Sequence, residues 1–135
     1  IYSISINTIM TSDIKQVIVI RKDLKMRRGK EIAQGSHASL AFIARQLQGG
    51  KTKVELSEVE KQWINSNFAK ICCRVNSEEE LLNIYQQAKE AGLKVHLVTD
   101  SGKTEFNNMP TKTCLSIGPD YSEKIDKITG NLNLY

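Results

Sequence analysis

Residues 16–22, QVIVIRK, set Val17, Ile18, Val19 and Ile20 in succession between polar ends. Successive strand residues point to opposite faces, so a strand with one wet face alternates apolar and polar side chains. This run does not alternate. It predicts a central strand covered on both faces, and the rest of the chain must supply the cover. Helical patterns follow in the required number. Residues 29–48 carry Ile32, Ser36, Leu40, Ile43 and Leu47 at helical spacing, and Gly49-Gly50 stops the helix. Ser57 with Glu60 and Ser77 with Glu80 have capping-box spacing and open two more helices, the second with an apolar face of Leu81, Leu82, Ile84, Tyr85 and Ala88. Residues 69–75, 93–99 and 111–119 read as strands, the last stopped by Gly118-Pro119, and Asp120 or Ser122 is placed to cap a final helix over 122–129. The expected fold is α/β: three layers, α/β/α, with a four-stranded sheet between helices on both faces. The third and fourth strands are joined by a loop and not by a helix, so the sheet is expected to be mixed. That loop, DSGKTEFNNMP, is longer than a tight hairpin needs, and such loops often carry function.

The 135 residues suit one core and one domain, expected over residues 13–135. Residues 1–12 read as an N-terminal extension. Met10 followed by TSDIK resembles a natural start, so residues 1–9 are expected to be foreign to the native protein. No apolar run approaches the roughly 20 residues of a membrane helix, and no membrane partner is expected. Cys72 and Cys73 are adjacent and would point apart in a strand, and Cys114 is distant. They read as small buried hydrophobes of a reducing compartment, hence a cytoplasmic expectation. The net charge of +4 is mild, but residues 15–30 concentrate seven basic side chains (Lys15, Arg21, Lys22, Lys25, Arg27, Arg28, Lys30) against Asp23 alone. That density suits a polyanion, most often nucleic acid.

Two clusters carry chemistry. Lys30, Gln34 and His37 are spaced i, i+4, i+7 and fall within roughly 60° on a helix, presenting an ammonium, an amide and an imidazole on one stripe. Ala33, Ala38 and Ala41 beside them leave room for another segment or a ligand. The second cluster follows the third strand. Asp100 stands at a strand end, where α/β sheets commonly place ligand groups, and Thr104, Glu105 and Thr113 follow. A carboxylate there can orient or deprotonate water, and the hydroxyls can hold that water or a substrate oxygen. Gly29-Lys30 lacks the rest of a P-loop, no GxSxG elbow is present, and neither HExxH nor another metal-ligand spacing occurs, so no metal is expected. His96, between Val95 and Leu97, reads as structural.

Four stretches in order, KQVIVIRKDLKMRRGKEIAQGSHASLA, LKVHLVTDSGKTEF, TKTCLSIGP and IDKITGNLNL, resemble the type II peptidyl-tRNA hydrolases from about Lys15 to Leu134. The resemblance implies a four-stranded mixed sheet between helices. It also implies peptidyl-tRNA as substrate, cleavage of the ester between the peptide and the terminal ribose, and no metal or organic cofactor. It allows a homodimer. Carried over by motif position, the family's polar residues fall on Lys30, Gln34, His37, Asp100, Thr104 and Thr113. On that basis Asp100 would orient or deprotonate the water, with His37 as the other candidate base. Thr104 and Thr113 would position water or ester oxygens, and Lys30 would neutralise the oxyanion or the terminal phosphate. Gln34 would hold the substrate end or the neighbouring charges, while Arg21, Lys25, Arg27 and Arg28 would track tRNA phosphates. The chain departs from the family pattern at Gly35, at Glu105 and at Pro110. Glu105 adds a negative charge beside a site that must accept RNA. Two other readings compete: a non-catalytic module that binds RNA or the tRNA end, and a protein-interaction adaptor using helix 57–66 and Trp63.

Overall fold

The computed structural model describes residues 13–135; the expected N-terminal extension lies outside the described residues. The elements run β1 (Ile14–Arg21), α1 (Arg28–Gln48), α2 (Glu58–Asn65), β2 (Lys70–Val75), α3 (Glu78–Glu90), β3 (Val95–Asp100), β4 (Thr111–Tyr121) and α4 (Ser122–Thr129). The strand order is β2-β1-β4-β3. β1 pairs with β2 in parallel and with β4 antiparallel, and β4 pairs antiparallel with β3, so the sheet is mixed.

The β-branched run behaves as its composition dictates. Val17 and Val19 face one layer with Leu115 and Ile117, packed on Leu81, Ile84 and Ala88 of α3 and Ile125 of α4. Ile18 and Ile20 face the other layer with Val98 and Cys114, beneath Ala38 of α1. Trp63 of α2 is buried against Phe42 and Ile14, and its indole N–H donates to the Ala69 carbonyl (2.8 Å). An indole so enclosed is core, which removes the adaptor reading that needed it as an exposed anchor. The α2 capping box is complete, whereas in α3 Ser77 receives the Glu80 N–H but the Glu80 carboxylate accepts from Asn76 instead.

Three local expectations are corrected. Gly118-Pro119 does not end β4, which continues to Tyr121. Lys15 pairs with Asp120 and Val17 with Ile117, so β4 carries one extra residue there, a bulge that accommodates a proline lacking an N–H. Gly118 adopts φ +87°, and a Cβ on it would sit 2.7 Å from the Asp120 nitrogen. Second, neither Asp120 nor Ser122 caps the last helix: Tyr121 is its N-cap residue, with no side-chain cap bond. Third, α1 does not pack through Ile32, Leu40 and Leu47. These three are exposed, and Gln34, Gly35, Ala38, Ala41 and Phe42 are buried instead. Small side chains let the helix lie close to the sheet.

Leu115 is fully buried on β4, opposite Val19 of β1 and Leu97 of β3. Leu115→Ala is expected to cost about 2–5 kcal/mol. Urea unfolding should show a lower midpoint at unchanged slope. A loss under about 1 kcal/mol would contradict the central place given to this strand.

Candidate active site

The C-terminal ends of β1 and β3, the start of β4 and the first turn of α1 meet at one edge of the sheet. Lys30 is the third residue of α1, and its Nζ donates to Asp100 Oδ1 (2.9 Å) and to Thr104 Oγ1 (2.7 Å). Gln34, one turn on and buried, donates from Nε2 to the same Asp100 oxygen (3.3 Å) and accepts from Thr113 Oγ1 (2.5 Å). The two clusters read from the sequence are therefore one network.

Local geometry explains each placement. β3 and β4 slip register between Val98–Cys114 and Thr99–Lys112, leaving Thr113 as an extra residue. Such a bulge re-aims a side chain, and here the Thr113 hydroxyl reaches the Gln34 amide. Asp100 closes an Asx-turn: the Gly102 N–H donates to its Oδ2 (2.8 Å). Gly102 has φ +83°, and a Cβ there would fall 2.1 Å from the Met109 carbonyl oxygen, so the loop folds back onto this position only with glycine. Phe106 packs into the cluster beneath α1, and the Lys30 ammonium lies 6.0 Å from its ring centroid. Gly102 and Phe106 were not singled out from the sequence. The Asp-Ser-Gly order was the available signal for the first, being the common pattern of an Asx-turn.

Electrostatically, Lys30 and Asp100 are mostly enclosed, their side chains 15% and 12% exposed. The Lys30 ammonium bonded to Asp100 holds its carboxyl below the ordinary carboxylate range. The Gly102 N–H, the Lys30 charge and the Gln34 amide act in the same direction, against the opposing effect of burial. Asp100 is thus ionised at neutral pH, with both oxygens already accepting bonds. Lys30 has three N–H donors and uses two on Asp100 and Thr104.

The remaining expected residues distribute unevenly. His37 lies on the same helix, exposed, outside the bonded network. Arg21 does not face open solvent: its guanidinium pairs with Asp23 (2.7 and 3.1 Å) and donates to the Lys112 carbonyl (3.1 Å). Lys25 and Arg28 are exposed. Arg27 is exposed too, but its Nε donates to Glu105 (3.2 Å). The negative charge that Glu105 brings near the site therefore has a cation beside it. His96 is a strand residue whose Nδ1 is buried without a hydrogen-bond partner, and burial, then Arg45 and Lys94, lower its pKa. Among the described residues no group of three or more His, Cys, Asp or Glu side chains is arranged to hold a metal, and no helix is long and apolar enough to cross a membrane.

Fold and side-chain network together define a mixed-sheet α/β protein with a lysine–carboxylate–hydroxyl site at the end of its strands. Residues 14–135 match the family peptidyl-tRNA hydrolase PTH2. The chain is 47% identical to the peptidyl-tRNA hydrolase of Methanothermobacter thermautotrophicus, over 89% of this chain and 98% of that protein. It is 40% identical to the peptidyl-tRNA hydrolase of Methanocaldococcus jannaschii, over 89% and 98% respectively. A probable peptidyl-tRNA hydrolase 2 of Dictyostelium discoideum is 43% identical over 91% of this chain and 55% of that longer protein. A solved Agrobacterium tumefaciens protein of unknown function shares the fold, with TM-score 0.56 at 14% identity, over 91% of this chain and 98% of that one. The chain belongs to the peptidyl-tRNA hydrolase PTH2 family, and nothing in these matches favours the non-catalytic RNA-binding reading.

A depressed Asp100 pKa has a definite sign. The folded state gains stability from this carboxylate above its unfolded pKa of about 3.9, and loses it as pH falls through the lower folded value. Carbon-13 NMR titration should place the Asp100 midpoint below about 3.9 and show Lys30→Met raising it. A wild-type midpoint at or above the ordinary value would contradict the pairing.

Proposed function

We propose that this chain, as a single domain over residues 13–135, hydrolyses the ester joining a peptide to the terminal ribose of tRNA, using the Lys30–Asp100–Thr104–Gln34–Thr113 network. The observation that carries the reading is the enclosed Lys30 ammonium, bonded to Asp100 and Thr104 with one donor to spare. An ester hydrolase must orient a water, stabilise a tetrahedral oxyanion and return a proton to the leaving alcohol. Water adds to the ester carbonyl carbon, the carbon–ribose oxygen bond breaks, and the proton lost by the water ends on the ribose oxygen.

Asp100 serves here as an orienting and charge-stabilising group. A carboxylate held by Lys30, Gln34 and the Gly102 N–H is a weak proton acceptor, but it fixes a water well. Lys30 directs its remaining N–H to the oxyanion, where an enclosed cation acts strongly. Thr104 holds the ester or the water from the loop side. Thr113 fixes the Gln34 amide, so that its N–H faces Asp100. His37, exposed on the same stripe, meets the substrate end. Lys25, Arg27 and Arg28 contact tRNA phosphates, a sequence-blind interaction that suits an enzyme serving many tRNAs. The thiols of Cys72, Cys73 and Cys114 are all free, which fits a cytoplasmic site of action. A homodimer belongs to the same proposal, and sedimentation reports it directly as the mass of two chains against one.

Turnover of N-blocked aminoacyl-tRNA with enzyme limiting tests the reading. Lys30→Met and Asp100→Asn should each lower kcat by about 100-fold or more. Lys25→Ala and Arg28→Ala should instead raise KM and flatten its salt dependence by about one counterion each. A chelator should leave the rate unchanged. Wild-type binding without turnover, or activity of both the Lys30 and Asp100 variants within about threefold of wild type, would overturn the assignment.

A further inference from the structure

Glu105 lies between two loop residues that face Lys30. Thr104 accepts a hydrogen bond from Nζ, and Phe106 lies under the ammonium. Its own carboxylate turns the other way and accepts from Arg27, from the backbone N–H (3.4 Å) and from Nε (3.2 Å). Arg27 is the N-cap residue of α1, and the 21-residue helix has no side-chain cap bond of its own there. A helix start leaves N–H groups unpaired and favours negative charge. Glu31 already places negative charge in the first turn, and Glu105, 78 positions away, adds an acceptor for the N–H of the N-cap residue itself. The Glu105 side chain is 15% exposed while that of Arg27 is 85% exposed, so the contact is formed by an enclosed carboxylate and not by two waving surface chains.

Three consecutive loop residues therefore grip one turn of α1, two at Lys30 and one at Arg27. We propose that Glu105 is a positioning residue, a clasp that pins the 101–110 loop to the start of α1 and so fixes the Lys30 ammonium between Asp100 and Thr104. The inference rests on the hydrolase reading above for its kinetic consequence, but not for its geometry. Without the clasp, the polar ties of the loop to the start of α1 are the groups that must also handle substrate, and Phe106 alone adds apolar packing. Thr104 then drifts from Lys30, and the ammonium loses its second anchor. The negative charge of Glu105 is on this account not a barrier to RNA: it is held inward against Arg27, whose exposed guanidinium stays within reach of a phosphate.

The test compares Glu105→Ala with Glu105→Gln, which keeps a side-chain oxygen to accept the Arg27 N–H groups. Asp100 titration by carbon-13 NMR and steady-state kinetics on N-blocked aminoacyl-tRNA are both measured. The charged and polar groups facing Asp100 are Lys30, Gln34, Thr104 through Lys30, and the Gly102 N–H, while Glu105 faces Arg27. Glu105→Ala should raise the Asp100 midpoint by roughly half a pH unit or more, as the Lys30 contact loosens. It should lower kcat about tenfold with KM within about twofold. Glu105→Gln should stay within about threefold of wild type in kcat. An unmoved Asp100 midpoint in Glu105→Ala would overturn the clasp. So would a lowered KM at unchanged kcat in both variants, since that marks a residue that only repels phosphate. If wild-type protein fails to turn over the substrate, the hydrolase reading falls, and the Asp100 titration still decides the clasp.

Discussion

An ammonium on the first turn of a helix is opposed by that helix's own dipole. Lys30 holds this position because Asp100, 70 residues away in sequence, lies 2.9 Å from its Nζ. A carboxylate near a helix N-terminus is itself favoured, so the pair sets one unfavourable placement against one favourable one. Such an enclosed pair contributes little net stability, since both charges give up water. Its consequence is geometric. Removing either partner leaves the other charged and poorly solvated. Thr104 and Gln34 bond directly to the pair, and Thr113 reaches it through Gln34.

The fold delivers the two partners by plain means. β1 must be covered on both faces, which places α1 across the sheet with its first turn beside the ends of β3 and β4. The small residues Gly35, Ala38 and Ala41 bring α1 close to the strands, and Gln34 is then buried within reach of both Asp100 and Thr113. The bulge at Thr113 and the Asx-turn at Asp100 aim the last groups. The helix thus has three flanks: a polar one toward the site, a small-residue one toward the sheet, and an apolar one outward, where Ile32 and Leu40 are exposed.

Much of this was legible in the sequence because the signals are local. Val17 to Ile20 specified a doubly covered strand, Ser57 with Glu60 specified a helix start, and the i, i+4, i+7 spacing put Lys30, Gln34 and His37 on one stripe. The packing face of α1 was not legible from hydrophobic spacing. Helical spacing points to Ile32, Leu40 and Leu47, whereas the buried face combines small Gly35, Ala38 and Ala41 with Gln34 and Phe42. Gly118-Pro119 reads as a stop to β4, and only a strand partner with the matching register turns it into a bulge. The separation of His37 from the bonded network, the use of Arg21 on Asp23, and the partnership of Glu105 with Arg27 all depend on side-chain directions across long sequence distances. No spacing rule encodes those.

The most direct test of the account is a double-mutant cycle on kcat/KM with Lys30→Met, Asp100→Asn and the combined variant, using N-blocked aminoacyl-tRNA as substrate. If the two groups act as one unit at the scissile ester, the double variant should be about as impaired as the worse single one, a departure from additivity of roughly 2–3 kcal/mol. Additive losses, within about 0.5 kcal/mol, would mean that the ammonium and the carboxylate work independently, and would contradict the central claim.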